Sequence, residues 1–290
     1  MKKTTRVYKT ANNCPIEADI YDRGEGTPVI IYMHSGALIF GTRNWLSGEQ
    51  ITYLTDAGFS IVNIDYRLAP ETKFEDIIED MKDAIRWVRT EASQWYGFDT
   101  SRIALMGASA GGYLSLLAGT MDDIMPNAII SLYGYGDLFG EWYTEPSDHY
   151  CKSAIVGKEA AYRCVGEQAL TNGDWSRFNY YLYCRQHGKW LEEVSGMDLA
   201  VARTKLSCYN PIDRMTAGFP PALLLHGDQD TDVPYEQSVL VFEKLKTLGV
   251  QTELIAIEGA DHVFDQHFRT SAVQNAYRRI VDFLNEHLNQ

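Results

Sequence analysis

One serine in this chain stands where a hydroxyl could act as a nucleophile. Gly107-Ala108-Ser109-Ala110-Gly111 has the pattern G-x-S-x-G, follows the apolar run Ile103 to Met106 and precedes a helix-like run, Tyr113 to Leu117. The serine therefore falls at a strand-to-helix turn, where the backbone is tight and only small neighbours avoid a clash. Gly107, Ala110, Gly111 and Gly112 meet that need. On such a turn the hydroxyl projects above the sheet, and the helix N-terminus aims backbone N–H groups at developing negative charge. By itself the pattern also fits a glycine-rich turn with no chemistry; the strand before it and the helix after it are what give it weight. A serine hydroxyl becomes a strong nucleophile only when a base takes its proton, and an imidazole base needs a carboxylate to fix its tautomer. Two later loops offer these groups. His226-Gly227-Asp228-Gln229-Asp230-Thr231-Asp232-Val233-Pro234 follows the apolar run Ala222 to Leu225, and Gly259-Ala260-Asp261-His262-Val263-Phe264 precedes the last helix.

Side chains so far apart in sequence can meet only if regular elements bring their loops to one edge. From Val29 onward, short apolar runs alternate with segments of helical period, which is the signature of a mainly parallel sheet flanked by helices. The runs Val29 to Met33, Ser60 to Ile64, Arg102 to Met106, Ala128 to Leu132, Ala222 to Leu225 and Thr252 to Ile257 predict buried strands. Before them, Thr5 to Lys9 and Ile16 to Tyr21 predict a hairpin around Asn12-Asn13. Helices are predicted over Asp76 to Arg89, where Ile77, Ile78, Met81, Ile85 and Val88 recur at three- and four-residue steps, and over Tyr235 to Thr247 and Thr270 to Leu288. Residues 135–218 break the alternation: no clear strand, many aromatics and short helical stretches. This stretch reads as a helical cap over the C-terminal edge of the sheet, where ligands of such folds bind. The expected division is an α/β core of residues 1–134 and 219–290 with a cap insertion of 135–218.

His34-Ser35-Gly36-Ala37, after the first of the core strands, resembles the H-G-G-G oxyanion loop of the hormone-sensitive-lipase-like esterase group of the α/β-hydrolase superfamily, with serine and alanine in place of two glycines. Tyr66-Arg67-Leu68-Ala69-Pro70-Glu71 is similar to a segment typical of the same group. The resemblance covers most of the chain outside the insertion and implies an α/β-hydrolase fold with a Ser, Asp, His order of catalytic side chains. It points to Asp230, three residues before Val233-Pro234, as the orienting acid, with Asp228 and Asp232 as local rivals. It points to His262 as the base, with His267 as competitor, and to the N–H groups of Gly36, Ala37 and Ala110 as the oxyanion hole. Ala37 is the weak member, because a non-glycine residue does not easily hold positive φ. His34 is expected to be structural, His226 to order the acid loop, and Asp65 and Arg67 to pair or cap nearby backbone.

Composition narrows the partners. The 290 residues carry a net charge of -13, with 45% hydrophobic and 22% charged residues, which is ordinary globular composition that disfavours nucleic acid and anionic membrane surfaces. The start Met1-Lys2-Lys3-Thr4-Thr5-Arg6 imitates the basic start of a secretory signal, but the following residues stay polar, so the expectation is cytoplasmic. Five cysteines without a Cys-x-x-Cys pair suggest free thiols and no zinc. The function that the resemblance implies is a carboxylesterase that cleaves short-acyl esters of small molecules through Ser109, with no cofactor and no metal required; a homodimer is left open. An amidase, arylformamidase or small peptidase of the same fold, and a non-catalytic ligand-binding protein on it, are the alternatives.

Overall fold

The computed structural model describes residues 3–289. Met1 and Lys2, which open the leader-like start, and Gln290 lie outside the described residues. Strands β1 (Lys3–Ala11) and β2 (Cys14–Tyr21) form an antiparallel hairpin whose turn residues, Asn12 and Asn13, have φ of 52° and 58°. Asparagine is among the few side chains that tolerate this left-handed backbone, and two such residues make the tight turn whose twist suits a hairpin. Both strands outrun their predicted bounds, because ladder pairing continues from Lys3–Tyr21 to Ala11–Cys14 through exposed residues that leave no hydrophobic signature.

The remaining strands are β3 (Val29–Met33), β4 (Ser60–Ile64), β5 (Ile103–Ala108), β6 (Ala128–Leu132), β7 (Ala222–Gly227) and β8 (Thr252–Ile257). They form one eight-stranded sheet in the order β1-β2-β4-β3-β5-β6-β7-β8, antiparallel at β1, β2 and β4 and parallel from β4 through β8. Each apolar run read as a core strand is a strand, but β8 is not the buried strand expected: it lies at the edge of the sheet, with neighbours on one side only, and Ile257 alone of its residues is buried. β5 starts one residue later than predicted, and β5 and β7 run two residues further, carrying regular backbone up to the turn at Ser109 and to the aspartate loop.

The longer helices are α1 (Gly48–Asp56), α2 (Phe74–Trp87), α3 (Ala110–Ala118), α4 (Phe178–Gln186), α5 (Trp190–Ser195), α6 (Leu199–Lys205), α7 (Glu236–Thr247) and α8 (Ser271–Leu288). α1 starts at a capping box: Ser47 Oγ accepts from Gln50 N–H, and Gln50 Oε1 accepts from Ser47 N–H. Because β3 is buried on both sides, its side chains serve two cores. Val29, Ile31 and Met33 pack with Ile77, Met81 and Ile85 of α2, whereas Ile30 and Tyr32 join the layer that includes Tyr277, Ile280 and Leu284 of α8. α2 begins two residues before its predicted start, since Phe74 is itself buried, and passes at Val88 into a wider π-type turn reaching Ala92.

Between β6 and β7 the described chain holds helices and short turns, and an isolated β-bridge pairs its Gly173 with Gly41 of the segment after β3. Its aromatic residues are not a separate layer. Tyr143, Tyr180, Tyr181 and Trp190 share one apolar cluster with β3 and α2.

The topology fixes where ligand chemistry can occur. After β3 the chain moves to one side of it as β4, then crosses to the other side as β5, so the loops after β3 and β5 diverge from a crevice at the sheet's C-terminal edge. Register places them level, with Met33 beside Gly107.

Candidate active site

Ser109 occupies that crevice in a forced conformation, φ 53° and ψ -114°, at the junction of β5 and α3. A non-glycine residue there stores about 1–3 kcal/mol of strain, which the surroundings must hold. They do so by close backbone approach. A Cβ at Gly107 would lie 2.1 Å from Gly111 O, and one at Gly111 would lie 2.0 Å from Met33 O, so both glycines are required for the turn to sit against β3. The Ser109 N–H donates to Leu132 O at 2.8 Å.

The loops after β7 and β8 meet Ser109 from the other side. His262 Nε2 is 3.2 Å from Ser109 Oγ, and His262 Nδ1 is 2.7 Å from Asp230 Oδ2. With the proton on Nδ1 donated to the carboxylate, Nε2 is left to accept the serine proton. The rival residues have other partners. Asp228 Oδ1 accepts from Gly259 N–H at 2.8 Å and Asp261 Oδ1 from Thr231 N–H at 2.8 Å, so these two carboxylates fasten the acid loop and the histidine loop to each other. Asp232 is held by Arg185 and the Tyr181 hydroxyl, yet its Oδ2 comes within 3.6 Å of His262 Nε2. His267 is exposed, on the short turn before α8.

The electrostatics follow from this packing. Burial raises the Asp230 carboxyl, but His262 and His226 outweigh it and hold the group well below the usual carboxylate range. Asp230 Oδ1 also accepts from the N–H groups of Asp232 and Val233, both at 2.9 Å, which further favours the ionised form. Burial lowers His262, but Asp230 and Asp232 overcome it and the net direction is upward. His226 is fully buried; its Nε2 faces Val233 O at 3.0 Å and Asp230 Oδ2 at 3.2 Å, and Ser238 Oγ lies 2.7 Å from its Nδ1. It braces the acid loop from below.

On the β3 side, Gly36, Ala37 and Leu38 all have positive φ, 115°, 54° and 60°. A Cβ at Gly36 would lie 1.9 Å from Phe40 O, so only glycine fits. Ala37 does hold the left-handed conformation doubted on sequence grounds. Among the described residues, no carbonyl takes the N–H of Gly36, Ala37 or Ala110, so all three remain able to donate to a ligand oxygen. His34 points away from the reacting atoms: its ring stacks on Tyr66 at 4.1 Å, its Nδ1 meets Ser35 O at 2.6 Å, and burial pushes it down to about 4.

A partly open cavity of about 150 Å³ lies over Ser109 and His262. Phe40, Trp45, Tyr150, Trp175, Phe178 and Tyr181 line it together with Gly36, Ala37 and Asp232. Surface grooves along α1 are larger, about 680 and 810 Å³, but hold no histidine and no nucleophile beside a base. Supporting residues that the sequence did not single out include Tyr133, whose ring meets His262 edge-on at 4.7 Å while its hydroxyl donates to buried Asp265, and Arg185 behind Asp232. The Tyr66–Glu71 segment is a set of buried ion pairs: Arg67 binds Asp80 through two nitrogens, and Glu71 binds Arg177 of the insertion. Asp65 pairs with Arg43, not with Arg67, and burial still pushes it up to about 6.

The BD-FAE family model matches residues 19–245, more than three quarters of the sequence. The chain belongs to the BD-FAE family. This BD-FAE chain has the fold of its α/β-hydrolase and esterase structural neighbours, the fold expected from its motifs. The matched span includes Ser109 and Asp230 but ends before His262, which rests on the geometry alone. Among curated proteins it is 30% identical over 244 residues to esterase LipC of Mycobacterium tuberculosis, covering 82% of this chain and 53% of LipC. It is 27% identical over 346 residues to the non-reducing polyketide synthase adrD of Penicillium rubens, covering 99% of this chain and 14% of the synthase. The BD-FAE chain thus spans about half the length of one relative and about a seventh of the other. A Staphylococcus aureus protein of unknown function superposes with a TM-score of 0.83 at 27% identity, covering 99% of this chain and 100% of that one. Esterase 2 of Thermogutta terrifontis superposes at 0.69 with 24% identity, covering 98% and 92%, a likeness of fold. No helix among the described residues is long and apolar enough to cross a membrane.

Proposed function

We propose that this chain is a serine carboxylesterase acting on short-acyl esters of small molecules. The observation that carries the reading is the continuous chain of contacts from Ser109 Oγ through both nitrogens of His262 to Asp230, 3.2 and 2.7 Å long. In this reaction Ser109 attacks the ester carbonyl as His262 takes its proton. The oxyanion accepts hydrogen bonds from the N–H groups of Gly36, Ala37 and Ala110, and His262 returns the proton to the departing alcohol. Water then repeats the sequence on the acyl-enzyme. The Asp230 carboxylate keeps the imidazole in the useful tautomer and offsets the charge it gains. A cavity of about 150 Å³ supports an acyl group of only a few carbons. Residues 135–218 act as a cap, since Tyr150, Trp175, Phe178 and Tyr181 form the wall facing Ser109.

The test is a series of 4-nitrophenyl esters graded from acetyl to decanoyl, run with wild type and Ser109→Ala. Turnover should be greatest for the shortest chains and absent in the variant. A Ser109→Ala protein that keeps the wild-type rate, or a preference for the longest chain, refutes the proposal. Amide counterparts in the same series distinguish an esterase from an amidase.

A further inference from the structure

We infer that Trp190, carried by the insertion, is a positioning residue for the oxyanion loop, holding the one peptide that lies between the two left-handed residues Ala37 and Leu38. This rests on the proposed acyl-transfer role of the site.

The carbonyls of this loop are tied down one after another. Gly36 O accepts from Ile39 N–H at 2.8 Å and from Phe40 N–H at 2.9 Å; Leu38 O accepts from Ala69 N–H at 2.8 Å. Ile39 O accepts from Arg177 Nε at 2.7 Å. Between them, Ala37 O accepts from Trp190 Nε1 at 2.9 Å, a second contact from the insertion to the loop beside that of Arg177. A residue's φ and ψ are fixed when both flanking peptides are fixed. For Ala37 the preceding peptide is held within the loop, and the following one is held by the indole. Without that second anchor, nothing beyond Ala37 holds its left-handed angles, and as it relaxes toward the right-handed region that a residue with a Cβ prefers, the rotation is shared with the preceding peptide, whose N–H is the Ala37 donor, and shifts that N–H from where the oxyanion forms.

Trp190 is suited to this task because it cannot move. It is fully buried, stacked on Tyr143 at 4.1 Å and 14° between planes, and meets the edge of Tyr135 at 6.3 Å. An apolar ring would fill nearly the same space; what the indole adds is the N–H aimed at Ala37 O. The arrangement also accounts for the alanine at position 37. A glycine would hold the left-handed angle unaided, whereas here the insertion supplies the restraint that the missing glycine would have made unnecessary.

The experiment measures kcat and KM for 4-nitrophenyl acetate, below the lowest unfolding midpoint, on wild type, Trp190→Phe, Leu191→Ala and the double variant Trp190→Phe/Ala37→Gly. Loss of an oxyanion donor acts on the transition state, so Trp190→Phe should lower kcat by about tenfold or more with KM changed less than about threefold. Leu191 is buried in the same apolar cluster, so its truncation should lower the midpoint while leaving kcat within about twofold. Ala37→Gly should recover activity in the Trp190→Phe background, because glycine takes the left-handed angle without the indole. The inference is overturned if Trp190→Phe keeps wild-type kcat, if Leu191→Ala loses as much kcat, or if the glycine restores nothing. Failure of the underlying reading would look different: wild type would not turn over the ester, or Ser109→Ala would match it.

Discussion

Asp232 approaches the nitrogen of His262 that faces Ser109, with Oδ2 3.6 Å from Nε2, while Asp230 occupies the other nitrogen at 2.7 Å. Two carboxylates thus face one imidazole. Burial and the nearby Arg185 lower the His262 pKa, Asp230 and Asp232 raise it, and the balance lies above the ordinary 6.5. Asp265 adds a buried carboxylate beneath, tied to Tyr133 and Gln50. As a base, His262 works in its neutral form, so activity is full above its raised pKa and falls as pH drops through it. The acid limb of kcat/KM should therefore have its midpoint above pH 6.5. Asp232→Asn removes one raising charge and leaves Arg185 unopposed, and both changes move the midpoint toward lower pH. A limb that stays in place, or moves upward, excludes electrostatic coupling between Asp232 and His262.

Asp230 should matter far more for rate than for binding. Asp230→Asn can still accept the N–H groups of Asp232 and Val233 through its amide oxygen, so the loop keeps its shape. Facing His262 with an amide N–H, however, it favours the tautomer whose Nε2 carries the proton and cannot accept one. A kcat lower by about three to four orders of magnitude is expected, with KM nearly constant. A loss under tenfold in steady-state assays would show that Asp232 substitutes for it or that the assignment is wrong.

Strain at Ser109 predicts that stability and activity separate there. Ser109→Gly relieves the cost of φ 53° but adds backbone freedom to the unfolded chain, leaving a net gain of about 1 kcal/mol. The inactive glycine variant should melt roughly 2 °C above wild type, and Ser109→Ala, which keeps the Cβ, should not. Equal melting midpoints for the two variants would mean that the turn carries little strain.

The elements that position the site were legible because their signals are local. Val29–Met33 is buried on every residue and apolar throughout, and Ile61, Val62 and Ile64 supply most of the equally buried Ser60–Ile64, so short apolar runs mark both. Ser109, Asp230 and His262 each lie on the loop after a strand whose run is visible in the sequence, which is why spacing and resemblance could nominate them. The ends of β1 were not legible, because its pairing runs through solvent-facing residues. Nor was the support around the site. Trp190 meets Ala37 across 153 positions and Arg177 meets Ile39 across 138, and no periodicity links such pairs. Asp232 was read only as a rival to Asp230, since its approach to His262 depends on Arg185 and Tyr181 drawing it into place. The angle at Ala37 could not be read because propensity disfavours it; tertiary contacts supply what the residue type lacks.

Glu71 and Arg177 join the insertion to the loops of the core, and breaking them should disturb both stability and rate. The carboxylate is fully buried and meets Arg177 through two nitrogens, at 3.0 and 2.6 Å, while the same guanidinium reaches Ala69 O and Ile39 O. Glu71→Gln preserves the shape but leaves a buried guanidinium without its counter-charge, for which a loss of about 3 kcal/mol is expected by denaturant titration. Because Arg177 also restrains Ile39 O, kcat should fall with it, whereas an exposed pair such as Arg269 with Glu49 should tolerate the equivalent change with neither effect. Removing both partners together, as Glu71→Leu with Arg177→Met, should cost less than the sum of the single losses, since no charge is then stranded. A Glu71→Gln protein as stable as wild type would show that water reaches the pair and that the insertion is held by its aromatic packing alone.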